Sequence, residues 1–441
     1  MPPDFTLGSV GFTSAEMGGS WPKGHAVVSN QNFGSGLLTG NPSQHAACSI
    51  SEPVPGQRFL AVGNQDMSQS FTTGRKGCVE VFKETAGEWV WHQRLISPLT
   101  PRTGQWMGHA VRSGGPWIMC GNTHSITASN QPEGEIEAWK YNAGTGFFAF
   151  DHVLQPDDCI YGDEFGMLLD VDFESGWLIA GSPQAHDYNT ATGGKIYFYK
   201  LVNGTWTEMQ MFQEPGISPG DNAFGMEVCI KGNDAFASSF TRPAALGGGY
   251  FRGCLYHYKL TGGTWELVGN IPSPATREGQ RFGATLHFDG TRLVSFDWGL
   301  KWYQGGFTVL RRNGASWDHE QTYIHPWGDG VNSTENHRFG HKGLFINDNT
   351  LVASERFAFG TWSGVDDMNG PTDATGIVYV FKRIGTTWHR THRILPDTVQ
   401  PGDWFGDLMC WDPVKNVLIV VSTGATRSSA KTMILNEISL E

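Results

Sequence analysis

The residues that could do chemistry in this chain are scattered, and most of them fail a spacing test. There is no phosphate-binding glycine loop, no zinc-spaced cysteine or histidine set, no His-Glu-x-x-His and no Gly-x-Ser-x-Gly. His389 and His392 are three apart, so an extended strand turns them to opposite sides and a shared metal is not expected. His337 and His341 are four apart and share a strand face, where a polar loop-end pair is the simpler reading. Acids precede several Phe-Gly pairs (Asp163, Glu164, Asp221, Asp403); they could ring a channel mouth, or satisfy backbone groups of the entering loop. The densest recognition chemistry is aromatic: Trp298, Trp302 and Tyr303, then Trp327, then Phe359 and Trp362 beside Asp366 and Asp367. Rings next to carboxylates suit glycan stacking or a protein hot spot, so these eight are the candidate binding residues.

What must position them is a repeat. Phe-Gly stands at 165, 224, 282, 339 and 405, with degenerate copies at Met107-Gly108 and Ala46-Ala47. Successive anchors are 61, 58, 59, 58, 57 and 66 residues apart, a fixed period that means a repeat architecture. Each copy reads as two hairpins. The anchor opens an apolar strand, and a Gly/Asn/Asp turn such as Gly232-Asn233-Asp234 leads to a second. After a looser loop, a Gly opens an alternating strand (Gly194 to Tyr199, Gly376 to Phe381), and a Gly-containing turn leads to a Trp on the fourth. That Trp recurs at 89, 206, 265, 317 and 388, with Phe147 in its place in the second copy, as expected of packing groups between blades.

Four strands in each of seven copies predict an all-β, seven-bladed propeller. The seventh copy runs out of chain after three strands, so the N-terminus is expected to close the ring. Phe33 to Thr39 lies at the right distance for this; Gly24 to Ser29 resembles Gly108 to Ser113 and could add a strand, displacing Thr432 to Asn436 outward. Residues 1–31 are then an N-terminal arm or extra closing strand and 32–441 the propeller.

These features resemble the FG-GAP repeat family, which builds the integrin α-chain head propeller, and more closely its short-hairpin bacterial variety. The resemblance covers roughly residues 32–441 and implies fold more than function. The integrin version carries calcium in the first hairpin through an Asp-x-Asp-x-Asp-Gly loop closed by a further Asp. Asp170 to Gly176 approaches that pattern but is followed by Leu178 and Ile179, so no metal is expected. Ser295 to Trp302 likewise resembles a sialidase Asp-box, but it occurs once, after the second strand rather than between the third and fourth.

Composition narrows the partners. Net charge is −12 with no basic cluster, which argues against nucleic acid. No apolar run is long enough for a spanning helix, so membrane insertion is not expected, and residues 1–30 lack the layout of a secretory signal. Most of the seven cysteines fall in predicted strands and read as buried thiols. No cofactor is implied. The expectation is a non-enzymatic recognition or structural module with a protein partner in a larger assembly, such as a virion or surface appendage. A soluble lectin binding a surface glycan is the alternative and a glycosidase the third reading.

Overall fold

The computed structural model describes residues 26–28, 48–64, 77–99, 106–123, 134–159, 163–183, 194–214, 224–239, 252–274, 280–300, 305–325, 339–355, 376–394, 404–422, 426–427, 430–431 and 434–440. They form seven four-stranded antiparallel blades. The inner strands are Cys48–Val54, Met107–Gly114, Leu168–Asp172, Phe224–Lys231, Thr285–Phe288, Phe339–Asn347 and Leu408–Asp412. Each packs on the inner strands of the blades before and after it, and the last packs on the first, so the ring is closed.

The Phe-Gly anchor earns its place at the junctions. Phe224 is fully buried between blades three and four. Gly225 follows at φ +82°, a left-handed conformation open to glycine, and a Cβ there would sit 2.7 Å from the Lys195 carbonyl of the preceding blade. Gly194, which opens the third strand of that blade, lies so close to the Phe224 carbonyl that a Cβ would overlap it. The third-strand glycine of blade three and the anchor glycine of blade four thus lie across one junction, each against the backbone of the other blade.

Farther out, the recurrent Trp seals the same junction. Trp206 meets Trp117 of blade two edge-on at 6.4 Å, and Trp265 meets Trp177 of blade three at 5.6 Å. A glutamine of the preceding blade clamps the backbone of the anchor ring: Gln210 accepts from Trp265 N–H at 2.6 Å and donates to its carbonyl at 3.1 Å. Gln321 does the same for Trp388, and Gln93 for Phe148. In blade two the sealing ring is therefore Phe148, 2% exposed, and not Phe147, which is 47% exposed; the sequence phase was one residue early.

Blade seven is closed by the N-terminus. Its strand order from outside is Ala26–Val28, Ile434–Ser439, Val417–Ser422, Leu408–Asp412. The outer strand is thus taken from the Gly24–Ser29 segment, with Val27 opposite Leu435, and the third strand stays third. Phe33 to Thr39 lies outside the described residues.

Candidate functional site

In register, the seven inner strands share a column that joins the core in some blades and carries polar or charged side chains in others. The residue five past each Phe-Gly anchor is Arg112, Asp170, Cys229, His287, Leu344 and Cys410 in blades two to seven. In blade one the equivalent is Ser49, which pairs with Ala61 as Arg112 pairs with Met119, so the first copy begins two residues before Ala46. Side chains of this column reach the next blade. Ser113 N–H donates to Ser49 Oγ (2.9 Å), Ile230 N–H to Asp170 Oδ2 (2.9 Å) and Phe345 N–H to His287 Nδ1 (3.2 Å). Arg112 Nε donates to Asp170 Oδ1 at 2.7 Å, with both side chains partly open to solvent.

Two further charges join them: Glu227 and Lys342, each three past its anchor in blades four and six. The field of Glu227 is felt from Arg112 in blade two and Lys342 in blade six, and Lys342 feels Arg112 and Cys48. Blades two, four and six are not neighbours in a ring of seven, so mutual reach of their side chains places the group at the central axis. Burial pushes the Glu227 carboxyl up to about 8, with the Lys342 and Arg112 cations opposing the shift. Burial also pushes the Lys342 ammonium down to about 8 and the His287 imidazole down to about 4. A neutral His287 accepting at Nδ1 carries its proton on Nε2. The axis therefore holds an Arg–Asp pair, a neutral imidazole, and a carboxyl and an amine both poised near neutral pH.

Of the eight binding residues anticipated from sequence, only Trp298 is among the described residues. Trp298 is 6% exposed, with the Arg281 guanidinium 3.9 Å from its ring centre, so it is a packed ring and not an exposed platform. Trp302, Tyr303, Trp327, Phe359, Trp362, Asp366 and Asp367 lie outside the described residues. Asp297 of the Asp-box-like segment is buried, accepting from Ser295, Thr308 and Gly283 N–H, and burial pushes it up to about 8; it braces the Gly283 anchor. Asp170 and Asp172 are likewise committed to neighbours, Asp172 accepting from Gly232 N–H at 2.9 Å. Among the described residues no three His, Cys, Asp or Glu side chains gather as a metal site. His341 is buried against Asp407 of the next blade at 3.3 Å, while His337, Asp221 and Asp403 are outside the described residues. Among the described residues no helix is long and apolar enough to cross a membrane.

No protein-family model matches the chain, so FG-GAP membership is not shown, and no curated protein matches it. Solved structures do. A protein from Lactobacillus plantarum is 13% identical at a TM-score of 0.45, over 80% of this chain and 85% of that one. A "putative 6-phosphogluconolactonase" from Bacteroides uniformis is 15% identical at 0.48, over 81% of this chain and 87% of that one. At such identities and TM-scores the likeness carries no argument; the strand topology of the chain itself makes it a seven-bladed β-propeller. The expectation of a non-enzymatic recognition or structural module is corrected here. It rested on missing linear motifs, whose absence does not exclude an enzyme. An axial site assembled from separate blades leaves no linear motif to find.

Proposed function

We propose that this propeller binds a small anionic polar solute in its axial channel and acts on it by proton transfer through Glu227. The observation that carries the reading is the convergence of Arg112, Asp170, Glu227, His287 and Lys342 from five blades. Shifted titrations in a concave site are a mark of function, because a catalytic acid or base works best with its pKa near the working pH. The charge balance gives the sign of the ligand. At pH 7 Arg112 is offset by Asp170, His287 is neutral and Glu227 is mostly protonated, while Lys342 keeps most of its charge. The Asp407 carboxylate also acts on Lys342, but it is held by His341 at 3.3 Å, so Lys342 and Arg112 are the cations that an anion would meet. Lys342 and Arg112 would hold the anion and Glu227 would give or take the proton.

The Phe-Gly turn docked on the preceding blade supports reading the repeats as FG-GAP-like, which concerns lineage and leaves the chemistry to the axis.

Calorimetric titration at pH 7 with a panel of small carboxylates, sugar acids and phosphate esters tests the proposal. At least one should bind in the millimolar range or tighter, and Lys342→Met should weaken it about tenfold or more. Any ligand turned over should lose turnover but keep binding in Glu227→Gln. If no panel member binds, or if Lys342→Met and Arg112→Met bind as the wild type does, the axial reading is wrong.

A further inference from the structure

Independently of what the channel binds, we propose that Cys48 and Cys410 are a covalent site: a dithiol that oxidises to a disulfide and closes the ring through its inner strands. Cys48 opens the inner strand of blade one and Cys410 lies at the middle of the inner strand of blade seven. Cys410 occupies the column whose side chains reach the next blade at Ser49, Asp170 and His287, and its next blade is the first. The inner strands that carry them pack on each other, and the Cys48 thiol acts on the Cys410 thiol across the seam. They share one apolar cluster with Leu60, Val62, Leu408 and Val421, which holds the two inner strands together. Among the described residues both are free thiols.

Topology gives the bond its consequence. Blade seven is completed by the backbone hydrogen bonds of Ala26–Val28 to Ile434–Ser439, while blades seven and one meet through the shared apolar cluster and the Arg58–Asp412 and Lys415–Glu84 ion pairs. A bond between Cys48 and Cys410 bypasses that seam. The segment it ties off, about 360 residues, runs from the inner strand of blade one to the inner strand of blade seven, so these two blades would stay joined with the outer strand detached. Because chain-entropy stabilisation grows with the length of the loop closed, this placement is near the most effective the fold offers.

The oxidant is a hydroperoxide. One thiolate sulfur attacks the peroxide oxygen, the O–O bond breaks, and a sulfenic acid forms as water or alcohol departs. The second thiolate then attacks the sulfenic sulfur, the S–O bond breaks, and its hydroxide takes up a proton as water. Two thiols are oxidised and one peroxide is reduced. Contact with Cys48 and burial hold the Cys410 thiol well above the usual range, so the reaction should accelerate as pH rises.

The full-length chain, reduced and then exposed to hydrogen peroxide at pH 8.5, is read by intact mass under denaturing conditions and by peptide mapping without reductant. The expected result is a loss of about 2 Da, a cross-linked peptide pairing Cys48 with Cys410, and a Tm raised by about 5 °C, all reversed by dithiothreitol. Cys48→Ser and Cys410→Ser should each abolish the cross-link, and two variants guard against one failing to fold. A folded protein that shows no mass loss, that stops at a sulfenic or sulfinic acid, or that pairs other cysteines would overturn the proposal. So would a cross-link that leaves Tm unchanged, since the ring-closing role would then be absent.

Discussion

Glu227→Gln makes the axial electrostatics measurable without knowing the ligand. Glutamine keeps the shape, and its carbonyl can still accept the Leu286 N–H that the carboxylate accepts. What it removes is titration. The carboxyl is fully buried and its pKa rises from 4.5 to about 8 on folding, so the native state binds a proton more tightly than the unfolded chain does. A raised carboxyl gives stability that is complete below the unfolded pKa and is lost as pH climbs through the folded one. The window is therefore pH 4.5 to 8, and the loss, at 1.36 kcal/mol per pH unit, is about 5 kcal/mol. Asp297, moved from 3.8 to about 8, and Glu137, moved from 4.5 to about 7, lose stability over overlapping windows in both proteins, so only the difference between variant and wild type is diagnostic. Urea unfolding at intervals from pH 4.5 to 9 should show near-equal stabilities at the acid end. The variant should then gain steadily, ending about 5 kcal/mol ahead. Two curves that stay parallel would refute the placement of a neutral carboxyl on the axis.

Gly225→Ala should destabilise by about 2–3 kcal/mol or more, since φ +82° and a carbonyl 2.7 Å from the new Cβ act together. Gly232→Ala, at φ +60° with open space, should cost only about 1 kcal/mol in the same urea titration. Trp206→Ala and Trp298→Ala should both cost roughly 3–5 kcal/mol, because both rings are buried; a neutral Trp298→Ala would restore it as an exposed platform. Chelator should leave Tm unchanged, as Asp170 and Asp172 already bond Arg112, Ile230 and Gly232. A calcium-dependent rise in Tm that Asp170→Ala removes would contradict this.

The parts of the fold readable in the sequence are those where one physical demand repeats seven times. A positive φ against a neighbouring backbone admits glycine alone, and a deep junction admits only a large ring, so Gly225, Gly194 and Trp206 announce themselves at a fixed phase. Errors arose where a copy departs from the rule. Blade two offers two adjacent phenylalanines, and only the Gln93 clamp distinguishes Phe148 from Phe147. Blade one lacks the anchor pair, so its phase slipped by two. The axial group was invisible because its members sit in five successive copies, each about one period from the next, and share no residue type. Aromatic density drew attention instead, and Trp298 shows why that signal misleads: rings are also what a propeller packs with.

A usable signal did exist, in what the repeat fails to conserve within itself. Positions that serve the junctions keep their character from copy to copy, as the Phe of the anchor does in five of seven. The position five past it runs Ser, Arg, Asp, Cys, His, Leu, Cys. This position faces the next blade, where the partner changes from copy to copy: a backbone N–H for Ser49, Asp170 and His287, an apolar cluster for Cys229 and Leu344. Seven near-equal blades then supply seven independent choices, and a charged cluster can be built without altering the core that holds it. That variability is what lets one column carry Arg112, Asp170 and His287 in successive or nearby blades and still leave Cys410 beside Cys48 at the seam.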